Sequence, residues 1–187
     1  MISALYDKFK GWSKSGSVYI ISDTHFDDEN CRKIDPNWLS SEEQLAIIKK
    51  MVHKSDTLII LGDVGELKYI KEIKGYKVLI MGNHDTGATK FKEVFDEVYE
   101  GPVMIGEKIL LSHEPIPHID WCLNIHGHDH ADSVHDEYHL NLAANVCGFV
   151  PISLGDYIKK HGLKSVKSLH RDTIDKATER RQKRSEK

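Results

Sequence analysis

The chain has 187 residues, 40% hydrophobic and 29% charged, enough for one globular domain with its own core and too few for two large ones. A formal charge of −3 excludes the global basic field that would draw nucleic acid or a membrane surface. Cys31, Cys122 and Cys147 are widely spaced with no C-x-x-C, which excludes a disulfide framework or a zinc knuckle and points to a reducing, cytoplasmic setting.

Residues Met1 to Ser17 mix apolar with Lys, Asp and Gly and lack the apolar core of a secretory signal. No later run is long enough to span a bilayer, so no membrane partner is expected. The first strand is Val18–Ile21, ending at the polar turn Ser22-Asp23-Thr24-His25. A polar loop runs from Phe26 to Trp38, from which Arg32 and Lys33 either reach a substrate phosphate or stand solvated. A helix is expected near Ser41 to His53, with Ser41 and Gln44 at capping-box spacing and Leu45, Ile48 and Val52 on one face.

A second strand, Thr57–Leu61, closes with Gly62-Asp63; residues 66 to 73 allow a short helix. The third, Lys77–Met81, closes with Gly82-Asn83-His84-Asp85. This alternation is the βαβ pattern, and open α/β sheets place their sites at the carboxyl ends of strands. Short strands follow at Glu97–Tyr99, Val103–Ile105, Lys108–Leu111, Asn124–His126 and His139–Asn141, then a helix from Ser153 to His161 stopped by Gly162. Residues 1–170 thus read as one domain and 171–187 as a charged tail, helical or frayed. That tail holds seven basic and four acidic residues, a net +3 that leaves −6 on the rest of the chain. Because acids interleave with bases, it reads as a solvated or frayed helix end rather than a contact for a phosphate backbone.

Five short motifs stand in order: Asp23-Thr24-His25, Gly62-Asp63, Gly82-Asn83-His84-Asp85, Ser112-His113 and Gly127-His128-Asp129-His130. Each is weak alone. Together, they deliver Asp, His, Asp, Asn and His from four strand ends to one sheet edge. Packing has no use for ionisable groups there, and burying them unpaired costs several kcal/mol. A metal cluster removes that cost.

The set resembles the calcineurin-like metallophosphoesterase superfamily over positions 23 to 130, and in particular its small single-domain bacterial and phage phosphoesterases. The resemblance implies a layered α/β sandwich (α+β) of two packed mixed sheets flanked by helices, with a dinuclear metal site at the carboxyl ends of the strands. It implies that Asp23, His25 and His130 bind the first metal, that Asn83, His113 and His128 bind the second, and that Asp63 bridges them. His84, which follows a ligand but is not one, would be the acid–base residue. The activity implied is hydrolysis of phosphate mono- or diesters, small organic or nucleotide, by a metal-bridging hydroxide.

The ligand set makes electrostatic sense. Two divalent ions, two carboxylates and a hydroxide leave a centre of about +1, which attracts a phosphate oxyanion. Mixed N and O donors without thiolate suit Mn²⁺, Fe or Zn²⁺, with Mn²⁺ favoured; no residue is assigned to an organic cofactor. Two readings stay open for Asp85, which either orients His84 or caps the following helix. His126 is either a support for the ligands or a hydrogen-bonded strand histidine, and His118 is either a substrate contact or an exposed loop residue.

The segments beside the Gly-Asp and Gly-Asn-His motifs carry no arginine, which argues against phosphoprotein dephosphorylation. Spacings of 40, 20, 30 and 15 residues between Asp23, Asp63, Asn83, His113 and His128 leave no room for a cap domain. Two alternatives remain: a nuclease acting on nucleic acid, and a non-catalytic binding scaffold that kept the fold.

Overall fold

A computed structural model describes residues 16–105, 108–134, 136–163 and 169–185. The reading of the first fifteen residues as non-secretory lies outside this range. Among the described residues, no helix is long and apolar enough to cross a membrane.

Among the described residues nine strands form: β1 Val18–Ile21, β2 Thr57–Ile60, β3 Tyr76–Ile80, β4 Glu97–Tyr99, β5 Val103–Ile105, β6 Ile109–Leu111, β7 Leu123–His126, β8 His139–Asn141 and β9 Ile152–Ser153. The helices are α1 Cys31–Ile34, α2 Ser41–Met51, α3 Leu67–Glu72, α4 Ala88–Phe91, α5 Leu154–His161 and α6 Leu169–Ser185. One sheet has the order β4-β3-β2-β1-β9, parallel except for β9; the other is β5-β6-β7-β8, parallel except for β5. Both are mixed, as the sequence implies.

Strand alternation builds the layers. Val18, Ile20, Ile59, Leu61, Val78 and Ile80 point inward and meet Val103, Ile109, Leu111, Leu123 and Ile125 of the second sheet in one buried cluster. The opposite face offers Ile21, Leu58, Ile60 and Leu79 to a second cluster under α2 and α3, with Leu45, Ile48 and Ile70. These strands are buried on both faces, which is why they read as continuous apolar runs. Leu154 of α5 joins the core between the sheets.

The start of α2 corrects the sequence reading. Its N-cap is Ser40, not Ser41: the Ser40 hydroxyl accepts from Glu43 N at 3.3 Å, while Ser40 N donates to the Glu43 carboxylate at 2.9 Å. Two adjacent serines precede two glutamates, so a one-residue slip keeps the spacing intact. Ser41 is used elsewhere: its Oγ accepts from Asp27 N at 2.7 Å and anchors the loop after β1. Replacing Ser40 with Ala should cost about 1 kcal/mol in a denaturant titration. An unchanged midpoint would contradict the capping assignment.

Register sets the site. The β1–β2 pairing aligns Ile21 with Ile60, and β6–β7 aligns Leu111 with Ile125. The segments leaving β1 and β2 therefore run side by side, and so do those leaving β6 and β7. Backbone bonds continue past the strands: Asp23 N to Gly62 O at 3.0 Å, His25 N to Asp63 O at 2.9 Å, and Gly127 N to His113 O at 2.8 Å.

Candidate metal centre

The five motifs meet at this edge in two groups of donors. Asp23, His25 and His130 form one, and Asp63, His113 and His128 the other; within each, the ligand atoms lie within 4.8 Å of one another. Asn83 joins the second group, its Oδ1 2.8 Å from His113 Nε2 and 3.1 Å from His128 Nδ1. His113 Nε2 and His128 Nδ1 are 3.1 Å apart. Asp63 Oδ2 stands between the groups, 3.4 Å from His113 Nε2 and 3.7 Å from His25 Nε2.

These residues fit a cation. Donors held about 2.0–2.2 Å from one ion lie roughly 3–3.5 Å apart; here they lie 2.8–3.1 Å apart around His113, Asn83 and His128, and 3.8 Å apart between His130 Nε2 and Asp23 Oδ1. Asp23 Oδ1 and His25 Nε2 are buried without a hydrogen-bond partner. Leaving such atoms unsatisfied costs about 1–3 kcal/mol each, more if charged, and a metal ion satisfies both. The His and Asp groups can therefore hold metal ions.

The backbone is bent to present them. Asp23, His25, Asp63 and His128 all have left-handed φ, of 54°, 42°, 52° and 65°. Each costs a non-glycine residue about 1–2 kcal/mol, and strain of this kind gathers at functional sites. Gly127 is needed for a different reason: a Cβ there would lie 2.1 Å from Asp23 Oδ2 and 2.0 Å from Ser22 Oγ. The close approach lets His128 N donate to Asp23 Oδ2 at 2.8 Å, tying the two sheets together at the site.

Hydrogen bonds to the far ring nitrogens turn the imidazoles inward. His113 Nδ1 donates to the Leu61 carbonyl at 2.8 Å, leaving Nε2 to the cluster. His130 Nδ1 pairs with Asn145 Oδ1 at 3.0 Å, and Asn145 Nδ2 donates to the His130 carbonyl at 2.9 Å. His25 Nδ1 faces Asp28 Oδ2 at 3.5 Å. Asn145 and Asp28 escape sequence reasoning: neither lies in a motif, and Asn145 reaches the site only because the chain returns to it after β8.

The charges are strongly coupled. Burial lowers the His113 pKa, but the hydrogen bond to Asp63 and the charges of Asp23 and Asp63 reverse this and push it up to about 9. Burial tends to raise Asp63, yet its contacts with His113 and the His84 N–H hold it below the ordinary carboxylate value. For His25 burial prevails and its pKa is lowered. Two buried carboxylates thus make a pocket that favours positive charge.

His84 donates its backbone N–H to Asp63 Oδ1 at 2.9 Å, and its exposed ring lies 5.6 Å from the His25 ring. Neither reading of Asp85 holds. The N-cap of α4 is Gly87, and the Asp85 carboxylate accepts from the N–H groups of Asp63, Val64 and Gly82 at 2.8, 3.1 and 2.9 Å. It locks the segments after β2 and β3 together, and so positions Asp63 and Asn83 through their backbones. His126 is a buried strand histidine whose Nδ1 pairs with the Gly127 carbonyl at 2.9 Å. His118 is exposed. Arg32 borders a crevice of about 570 Å³ beside His25, whereas Lys33 turns away to Asn30 Oδ1 at 2.7 Å. A second crevice, of about 420 Å³, opens beside Asn83 and His113.

No family model matches the chain. The uncharacterized protein MJ1445 of Methanocaldococcus jannaschii is 30% identical over 168 residues, which cover 76% of this chain and 89% of that one. The chain belongs to its family. The fold is also that of AQ665 from Aquifex aeolicus, a protein of unknown function, with a TM-score of 0.64 and 30% identity over 78% of this chain and 99% of that one. Nuclease MPE of Pseudomonas putida aligns less closely, at a TM-score of 0.45 and 25% identity over 59% of each chain, too distant a likeness to carry an argument.

Proposed function

We propose that this protein is a dinuclear metal-dependent phosphoesterase of the calcineurin-like kind. In this reading Asp23, His25 and His130 hold one ion, Asn83, His113 and His128 the other, and Asp63 both. The supporting observation is the convergence of seven donor side chains on one sheet edge, with Asp23 Oδ1 and His25 Nε2 buried and unpaired. A binding scaffold has no need of so complete a set.

Two bound divalent ions supply charge for phosphoryl oxygens and lower the pKa of a water nucleophile. The chain's own residues do the rest. Asp63 is held between the two groups, which sets their separation. Its tie to the His84 backbone couples that residue to the same frame. His84, exposed at the rim, donates a proton to the leaving oxygen when protonated. The crevices beside His25 and beside Asn83 leave a substrate room next to both donor groups.

Turnover of nitrophenyl phosphate or bis-nitrophenyl phosphate should vanish with chelator and return with Mn²⁺, and with Fe²⁺ or Zn²⁺ to a lesser degree. A metal-loaded preparation inert to both esters would contradict the proposal. Asn145→Ala should weaken metal binding at the first group by about 10- to 100-fold, because the His130 ring loses its anchor. Competition with a chromogenic chelator measures this; unchanged affinity would show that Asn145 is not a support.

A further inference from the structure

On the helix the cations of the C-terminal segment gather toward one side, with Glu179 one turn before Lys183 at its border. Over 174–184 of α6, a turn of 100° per residue places Lys183, Lys176, Arg180, Arg184 and Arg181 within an arc of about 160°, while Asp175 and Glu179 fall about 40° apart outside it. All five cations are exposed. Among the described residues, Arg180, Arg181, Lys183 and Arg184 have no acidic partner. Lys176, Ala177, Arg180, Arg181 and Arg184 also line one concavity of about 450 Å³, with no acidic side chain among the described lining residues. The acids that interrupt the bases along the chain therefore do not divide the cations of this face.

From this juxtaposition we propose that the basic face of α6 binds the phosphate backbone of a nucleic acid, and that the substrate class of the metal centre is a nucleic-acid phosphodiester. The second half rests on the phosphoesterase reading. Three arguments select this occupant. Lys176, Arg180 and Arg184 recur every four residues, about 6 Å along the helix axis, so they make a ladder suited to a polymeric anion rather than a pocket for a single one. Three of the ladder and groove cations are arginines, whose planar fork engages phosphate oxygens in pairs. A membrane surface is disfavoured because 174–184 holds only Ile174 and Ala177 as apolar residues, and an interfacial helix needs a broad apolar face. The remainder of the chain carries −6, so this face is where a polyanion can approach.

The test is fluorescence anisotropy of labelled single-stranded and duplex oligonucleotides with the full chain, in chelator so that nothing is cleaved. Wild-type binding should weaken between about 50 and 200 mM salt, with a log–log slope that counts phosphate contacts. A combined Arg180→Gln, Arg181→Gln, Arg184→Gln variant should lose about tenfold or more in affinity at low salt, and its slope should flatten by about 2 to 3. Its hydrolysis of bis-nitrophenyl phosphate with metal restored should match wild type. Glutamine is a good helix former, so equal helicity by circular dichroism is expected of the variant.

Equal affinity and slope in the variant would overturn the proposal. So would binding to phosphatidylserine vesicles in the absence of oligonucleotide binding, or a change only in oligomeric state. Arginine-dependent oligonucleotide binding by a protein inert toward both nitrophenyl esters would support the basic face while contradicting the phosphoesterase reading, so the two failures are distinguishable.

Discussion

Asp63→Asn should reduce kcat/KM for nitrophenyl esters by about 10³-fold or more and lower the metal content of the protein. The carboxylate accepts from His84 N through Oδ1 and presents Oδ2 to both donor groups, at 3.4 Å from His113 Nε2 and 3.7 Å from His25 Nε2. Asparagine keeps the shape and one acceptor but removes the charge that two cations share. Positioned metal charge is worth several kcal/mol to a phosphoryl transition state, and each 1.4 kcal/mol is a factor of ten. Asparagine is the informative choice because φ at this residue is 52°, a conformation that asparagine adopts more readily than alanine. Fold and stability should therefore survive. If activity and metal content both stayed at wild-type levels, Asp63 would not be the shared ligand.

His84→Ala should lower kcat by about 10²- to 10⁴-fold while leaving the metal content unchanged. The side chain touches neither donor group as a ligand atom; it reaches the site as an exposed ring 5.6 Å from the His25 ring. The backbone bond from His84 N to Asp63 remains in the variant, so the frame should hold. The deficit should also depend on the leaving group. Nitrophenolate departs without much help, whereas an alkyl alkoxide needs a proton, so the loss should be greater for alkyl esters. Equal losses for both would mean that His84 acts by binding phosphate rather than by proton transfer.

Much of the fold was legible because its central strands are buried on both faces. Val18–Ile21, Leu58–Ile60 and Val78–Ile80 are continuous apolar runs, and each stops where the chain turns polar at the edge. The same arrangement exposed the candidate site, since ionisable residues directly after such strands have few structural uses. What escaped notice depends on tertiary contact or helical phase. The Leu61 carbonyl that orients His113 is a backbone group with no side-chain signature. Asn145 and Asp85 act across 15 and 22 residues, through bonds that no local pattern encodes. Ser40 and Ser41 are equivalent by spacing, and only the packing of the loop after β1 distinguishes cap from anchor. The basic face of α6 exists only in helical phase, because its charges alternate along the chain.

In the proposed reading one chain holds two divalent ions at this sheet edge. Metal content after Mn²⁺ loading and removal of loosely bound ion, measured by inductively coupled plasma mass spectrometry, tests it most directly. The expected result is two ions per wild-type chain and fewer in Asp63→Asn. Less than one ion per chain in folded wild-type protein, or two ions that persist in Asp63→Asn and in an Asp23→Asn variant alike, would contradict the account.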